Sequence, residues 1–199
     1  MLKKVVVIGP EGTGKSTLCE KLAEHYHTSW CPEYARAYLL EYGTKYTYND
    51  LLTIAKGQLA LEEEYVQSLV FSQKSIVTDS RLPANDYRLL FIDTDMYVMK
   101  VWCEFVFGKC HGWILEQLAK RKYDLYLLCN TDLPWVKDEL REYPELETRK
   151  RLFGIYKNLM LQQSTPWVEI SGQPEDGLVV IFSEVNHFDS RSFFFRRLC

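Results

Sequence analysis

The feature that most restricts the fold is the stretch "VVVIGPEGTGKSTL", Val5 to Leu18. An unbroken β-branched run, Val5 to Ile8, leads into a loop carrying three glycines and a proline. A segment with Leu18, Leu22 and Ala23 on one helical stripe follows. A run that does not alternate apolar with polar is the pattern of a parallel strand covered on both faces. Such a strand needs helices on both sides of its sheet, and glycines at its end let the chain turn sharply into the first of them.

The rest of the chain repeats the alternation. Helices are predicted from Lys15 to about His27, through "EYARAYLLEY" up to Gly43, and from Asn49 to about Ser72, where Thr47 and Asp50 fit a capping pair. Others run from about Met96 to Phe107, from about Trp113 to Arg121, and out of a loop to about Gln162. Strands are predicted at Ser29 to Cys31, Leu89 to Asp93, Leu125 to Asn130 and Trp167 to Ser171. Gly57 lies inside the longest helix at a cost of about 1 kcal/mol relative to alanine. At 199 residues this is one α/β domain with a mostly parallel sheet, whose ligands belong at the carboxyl ends of the strands. Residues 131–150 read as a mobile segment, and the tail 178–199 has no assigned structure.

Gly9, Gly14, Lys15 and Ser16 satisfy G-x-x-x-x-G-K-[ST] between a strand and a helix. In that setting the backbone N–H groups from Gly9 through Glu11, Gly12, Thr13 and Gly14 to Thr17 turn inward around a phosphate, aided by the dipole of the following helix. Lys15 reaches the terminal phosphates and Ser16 ligates Mg²⁺. Magnesium takes one or two protein oxygens, so a carboxylate at the end of a neighbouring strand is also required. Asp93, ending "LLFID", is preferred over Asp79, ending "SIVTD", because the longer apolar run makes the better buried strand.

Two GTP-switch signatures are missing: Leu133 stands where a guanine-reading aspartate belongs, and Met96 where a switch glycine belongs. A kinase needs an acceptor-side carboxylate and cations over the transferring group. Glu33 follows the second strand with Tyr34 beside it and Arg36 one helical turn on, and Asp95 lies two residues past Asp93. Glu33 and Asp95 both remain candidates for the base. In "DLPWVKDELREYPELETRKR", Asp138 and Arg141 suit a lid that brings arginine to phosphate, whereas Arg149 to Arg151 read as a solvated helix face. Trp102 and Trp135 suit stacking on a substrate ring or plain packing.

A net charge of -3 argues against polynucleotide binding, and no 20-residue apolar window argues for a membrane span. Six cysteines without a C-x-x-C pair and four histidines without an i,i+4 pair indicate neither a zinc cage nor a thioredoxin-type redox pair. The apolar stretch after Met1-Leu2-Lys3-Lys4 is too short for a secretory leader, so a cytoplasmic location with reduced cysteines is expected.

"GPEGTGKST", "PEYAR", "FIDTD" and "LPWVKDELR", in this order across roughly Lys3 to Gly172, resemble the ribosylnicotinamide kinase domain of the bifunctional bacterial NAD-biosynthesis regulator and the related P-loop ATPase family. The resemblance implies a P-loop α/β/α fold with a five-stranded parallel sheet in the order 2-3-1-4-5. It also implies ATP-dependent phosphorylation of the 5'-hydroxyl of nicotinamide riboside. It assigns Gly14 to Thr17 to phosphate and Mg²⁺ and Asp93 to the metal. Glu33, Arg36 and Asp95 go to the acceptor pocket, and Asp138 with Arg141 to the lid. The chain departs from the family in a longer Ser75 to Tyr87 link and in the tail from Leu178 to Cys199. The family's DNA-binding and adenylyltransferase parts are absent from these 199 residues. The expected partners are ATP and a small nucleoside, with a homo-oligomer left open. The competing reading is a nucleotide-driven switch that recognises a protein or lipid.

Overall fold

A computed structural model describes residues 2–75 and 88–172. Along the chain run β1 (Leu2–Ile8), α1 (Lys15–His25), β2 (Trp30–Cys31), α2 (Tyr34–Tyr42), α3 (Tyr48–Ser75), β3 (Arg88–Asp93) and α4 (Met96–Phe107). Then come α5 (Gly112–Lys120), β4 (Leu125–Cys129), α6 (Leu146–Gln162) and β5 (Trp167–Ile170). The five strands form one parallel sheet in the order β2-β3-β1-β4-β5, the order that the resemblance implied. Asp79, most of the Ser75 to Tyr87 link and the tail from Leu178 lie outside the described residues.

Both faces of the sheet are covered, as the unbroken run in β1 requires. Val5, Val7, Phe91, Leu125 and Leu127 meet Cys19, Leu22 and Ala23 of α1 on one face. Val6, Ile8, Leu90, Ile92, Tyr126 and Leu128 meet Val98 and Val101 of α4 with Leu152, Tyr156 and Met160 of α6 on the other. Val5 to Ile8 are wholly inaccessible to solvent. Each side chain so buried contributes roughly 1.5–3 kcal/mol, which makes β1 the strand the fold can least afford to alter.

β2 is only two residues long, pairing Trp30 with Phe91 and Cys31 with Ile92. Pro32, lacking an N–H, ends the ladder there. The capping pair of α3 is reciprocal: Thr47 N donates to Asp50 Oδ2 at 2.7 Å, and Asp50 N donates to Thr47 Oγ1 at 3.4 Å.

Packing accounts for the glycine inside α3. A Cβ placed on Gly57 would stand 2.2–2.5 Å from three ring carbons of Tyr34, so α2 lies on α3 at a distance that only a bare backbone allows. Beside it, the Tyr34 N–H donates to Gln58 Oε1 at 2.7 Å. Gly57→Ala therefore sets a helix-propensity gain of about 1 kcal/mol against an overpacking cost of about 1–3 kcal/mol. We expect the clash to win by up to about 2 kcal/mol in urea unfolding. The double variant Tyr34→Ala/Gly57→Ala should show most of that penalty removed.

Candidate functional site

The loop after β1 closes around its own backbone. A Cβ on Gly9 would lie 2.7 Å from the carbonyl oxygen of Cys129, so only glycine lets the ends of β1 and β4 approach this closely. Gly14, the N-cap of α1, has φ 77°, a left-handed conformation that directs the first helical N–H groups into the loop. Thr13 Oγ1 donates to Pro10 O at 2.8 Å, and Lys15 Nζ bends back to donate to the same oxygen at 3.0 Å. The result is a cradle of amides with a cation at its rim, the arrangement that binds phosphate.

Parallel pairing places Asp93 in register with Val7, one strand away from the loop. Its carboxylate is fully buried and accepts from Ser16 Oγ at 2.5 Å. Thr94 follows with φ 76°, a conformation that costs a β-branched residue on the order of 1–3 kcal/mol. Its N–H donates to Val7 O at 3.2 Å. Its hydroxyl stands 3.4 Å from Asp93 Oδ1 and 3.5 Å from Glu33 Oε1, between the two acids. Glu33 is the N-cap of α2 but makes no side-chain cap, which leaves its carboxylate facing the site. Burial, then the charge of Asp93, pushes the Glu33 carboxyl above the usual glutamate range; Lys15 works against this. Burial raises Asp93 as well, opposed by Lys15 and by the bond from Ser16.

The loop, Glu33 and Arg36 open into a single cavity of about 420 Å³, walled on the far side by Trp102, Phe105 and Tyr156 and roofed by the β4–α6 connection at Asp138, Arg141 and Tyr143. That connection is tied down at four points. Glu11 Oε2 accepts from the Glu142 N–H at 3.0 Å, and Glu11 Oε1 accepts from the Tyr143 N–H. Arg36 Nη1 pairs with Asp138 Oδ2 at 3.2 Å, so the partner of Arg36 comes from across the cavity rather than being Glu33. Trp102 Nε1 donates to Tyr46 Oη at 2.8 Å, and that hydroxyl donates to Glu142 Oε2 at 2.8 Å. Arg141 donates from Nη1 to Val136 O and lies over the Trp135 ring, its Cζ 5.5 Å from the centroid.

Four expected site residues are absent from the cavity wall, Asp93 because it lies behind Ser16. Tyr34 packs on Gly57. Trp135 lies against the loop, two of its ring carbons 2.9 Å from where a Gly12 Cβ would be. Asp95 caps α4, accepting from the N–H groups of Tyr97 and Val98, and takes the Tyr126 hydroxyl at 2.9 Å. With its oxygens spent on the fold, Asp95 supports β4 and α4, and Glu33 is the one of the two that lines the cavity. Thr94 and Phe105 were not anticipated; the "DTD" spacing was visible, but a strained threonine between two acids has no one-dimensional signature. Arg149, read as a solvated face, is 4% exposed, because α6 turns Arg149, Leu152, Tyr156 and Met160 inward.

The residues present fit a magnesium nucleotide. Ser16 and Asp93 would supply the two oxygens such an ion takes from protein, leaving its other positions to phosphate and water. Among the described residues no cluster of three or more His, Cys, Asp or Glu is placed as an all-protein cage. The thiols beneath the loop are not nucleophiles: burial pushes Cys129 up to about 12. No helix among the described residues is long and apolar enough to cross a membrane.

The family model for an AAA domain matches residues 4–176. Among curated proteins, the trifunctional NAD biosynthesis/regulator protein NadR of Salmonella typhimurium is 24% identical over 176 residues, covering 88% of this chain and 40% of that protein. Its Escherichia coli counterpart is 23% identical over 175 residues with the same coverage. The chain thus spans about two-fifths of the length of these relatives. Among solved structures, the NadR protein in complex with NR superposes with a TM-score of 0.61 at 23% identity, over 85% of this chain and 44% of that one. Deoxyadenosine kinase from M. mycoides superposes with a TM-score of 0.55 at 10% identity, over 92% of this chain and 99% of that one.

The buried cap of α4 has a pH consequence. Burial raises the Asp95 carboxyl to about 7, against the pull of its bonds from Tyr126, Tyr97 and Val98. Between about pH 4 and pH 7 the folded chain then holds a proton that the unfolded chain has lost, so stability falls as pH rises through that window. Asp95→Asn keeps a capping oxygen and removes the titration. Urea unfolding at a series of pH values should show the parent losing about 4 kcal/mol across the window relative to the variant.

Proposed function

The chain belongs to the AAA domain family, and on that premise we propose that it is a kinase passing the γ-phosphoryl group of magnesium ATP to the 5'-hydroxyl of nicotinamide riboside or a related nucleoside. The observation that carries this reading is the continuity of the cavity. One open cavity joins the phosphate loop and Ser16, which Asp93 holds from behind, to a wall carrying the Glu33 carboxylate and the rings of Trp102 and Phe105. A donor tail and a flat-ringed acceptor fit together in that space. The likeness to NadR and to a deoxyadenosine kinase supports the same class of acceptor.

Bound magnesium would neutralise charge on the donor's phosphates. The chain's own residues account for the rest. Amides of Gly12 to Thr17 donate to the β and γ phosphates, and Lys15 leaves Pro10 O to join them. Arg141, on the lid, covers the charge that develops on the transferring group. Glu33 accepts a hydrogen bond from the 5'-hydroxyl and aligns its oxygen with phosphorus. As the new P–O bond forms and the bond to the ADP oxygen breaks, the hydroxyl proton passes to that carboxylate. Trp102, held by Tyr46, gives the acceptor's base a flat wall, and Arg36 with Asp138 latches the lid at the acceptor side. The lid tied at Glu11 keeps water from competing with the hydroxyl. Small polar substrates accord with a cytoplasmic enzyme that needs no membrane or nucleic acid.

Incubation with magnesium ATP and a nucleoside panel that includes nicotinamide riboside should give ADP and one nucleoside monophosphate in equal amounts. Saturable ATP binding without any phosphorylated product would refute the kinase reading. Lys15→Ala should lower kcat at least 100-fold. Glu33→Gln should lower kcat about 100-fold with ATP affinity within about threefold of the parent. Because the Glu33 carboxyl is raised, the parent's kcat should fall on acidification from a pH above the usual glutamate range, and the glutamine variant should lose that limb.

A further inference from the structure

Arg149 is 4% exposed, and its Nε and Nη1 are buried without a hydrogen-bond partner. Among the described residues no carboxylate pairs with it, and the nearby Glu147 bonds Lys150 instead. A guanidinium with two of its three nitrogens withdrawn from water and no anion beside them is costly for a fold to hold. What it faces is a ring: its Cζ lies 5.0 Å from the centroid of Trp135. Trp135 in turn rests on Gly12, and Arg141 Nη1 approaches the same point of the loop to 3.9 Å. Arg149 also begins the inward stripe of α6 whose next members, Leu152 and Tyr156, line the cavity.

We infer that Arg149 is a second cation of the donor-phosphate site, waiting behind Trp135 for the oxygens of a nucleoside polyphosphate. This deepens the reading of the glycine loop as a nucleotide site and rests on it. The planar fork of a guanidinium takes two phosphate oxygens at once, which a π face cannot satisfy. The indole of Trp135 is the placeholder that makes the ligand-free state tolerable, and a polyphosphate arriving at Gly12 supplies the anion that the buried nitrogens lack. The binding free energy then includes relief of an unpaired buried charge, so the site discriminates by phosphate charge rather than by base.

Calorimetric titration of the full chain with magnesium tripolyphosphate, magnesium ATP and adenosine tests this. Arg149→Met keeps the length and apolar stem and removes the charge. It should weaken tripolyphosphate and ATP about tenfold or more while adenosine stays within about twofold. The Tm of the ligand-free variant should stay level or rise by about 2–4 °C, since an uncompensated charge has left the interior. A purely structural arginine gives the opposite pair, a lowered Tm with tripolyphosphate affinity unchanged, and that result overturns the inference. Parallel loss of adenosine, tripolyphosphate and Tm, the mark of a damaged fold, overturns it too. Should the methionine variant not fold, Arg149→Lys, which keeps the charge and loses the fork, should weaken tripolyphosphate about threefold to tenfold, and unchanged affinity there is equally decisive. The titration involves no acceptor and no turnover. A nucleoside panel without product would remove the kinase reading alone, and a parent chain that ignores tripolyphosphate would remove the loop reading beneath both.

Discussion

Everything at the site depends on the parallel pairing of β1 with β3 and β4 at the middle of the sheet. That pairing sets Asp93 beside Val7 and the carbonyl of Cys129 against Gly9, so a hydroxyl on the loop and a carboxylate 77 residues later in sequence come within 2.5 Å. Strands buried on both faces leave no freedom to slip, because a shift of one residue would turn each inward contact to the opposite helical layer. The sheet thus acts as a jig that holds charged groups where water cannot relax them.

Around that jig the polar groups divide into two sets. Glu62 accepts from Lys4, Arg121 and Tyr123, and Asp95 accepts from Tyr126; these serve the fold. Glu33, Asp93, Lys15 and Arg149 are left with capacity unspent or strained: two acids raised by burial, a lysine folded onto its own loop, an arginine with only a ring to face. The left-handed Thr94 lies on the boundary between the sets. Lys15 and Glu33 line the cavity, Asp93 stands behind Ser16 and Arg149 behind Trp135; on the reading proposed above, an anionic ligand would complete this unspent polar capacity.

The β4–α6 connection turns these groups into one enclosure. It is bound to the loop through Glu11, to α2 through Asp138 and to Tyr46 through Glu142, although none of these partners is near it in sequence. On the kinase reading proposed above, the same contacts would let lid, donor loop and acceptor wall respond together. Each is a weak, partly exposed interaction, which suits a segment that has to open and reclose.

How much of this was legible in advance follows from the range of each interaction. The amino-acid sequence by itself determined the strand-loop-helix unit at Val5 to Leu18, the alternation that makes the sheet parallel and the capping pair of α3. These depend on neighbours within a few residues, where side-chain period and backbone sterics decide. The identity of Asp93 as the acid beside Ser16 was also readable, because a strand's end is marked by where its apolar run stops. Only the tertiary structure decided that Gly57 exists for the ring of Tyr34, that Asp95 is a cap rather than part of the cavity wall, that Arg36 reaches Asp138, and that Arg149 points inward. Each of those turns on which face of a helix meets which distant neighbour, and that is set by the packing of whole layers, a quantity that local pattern does not contain.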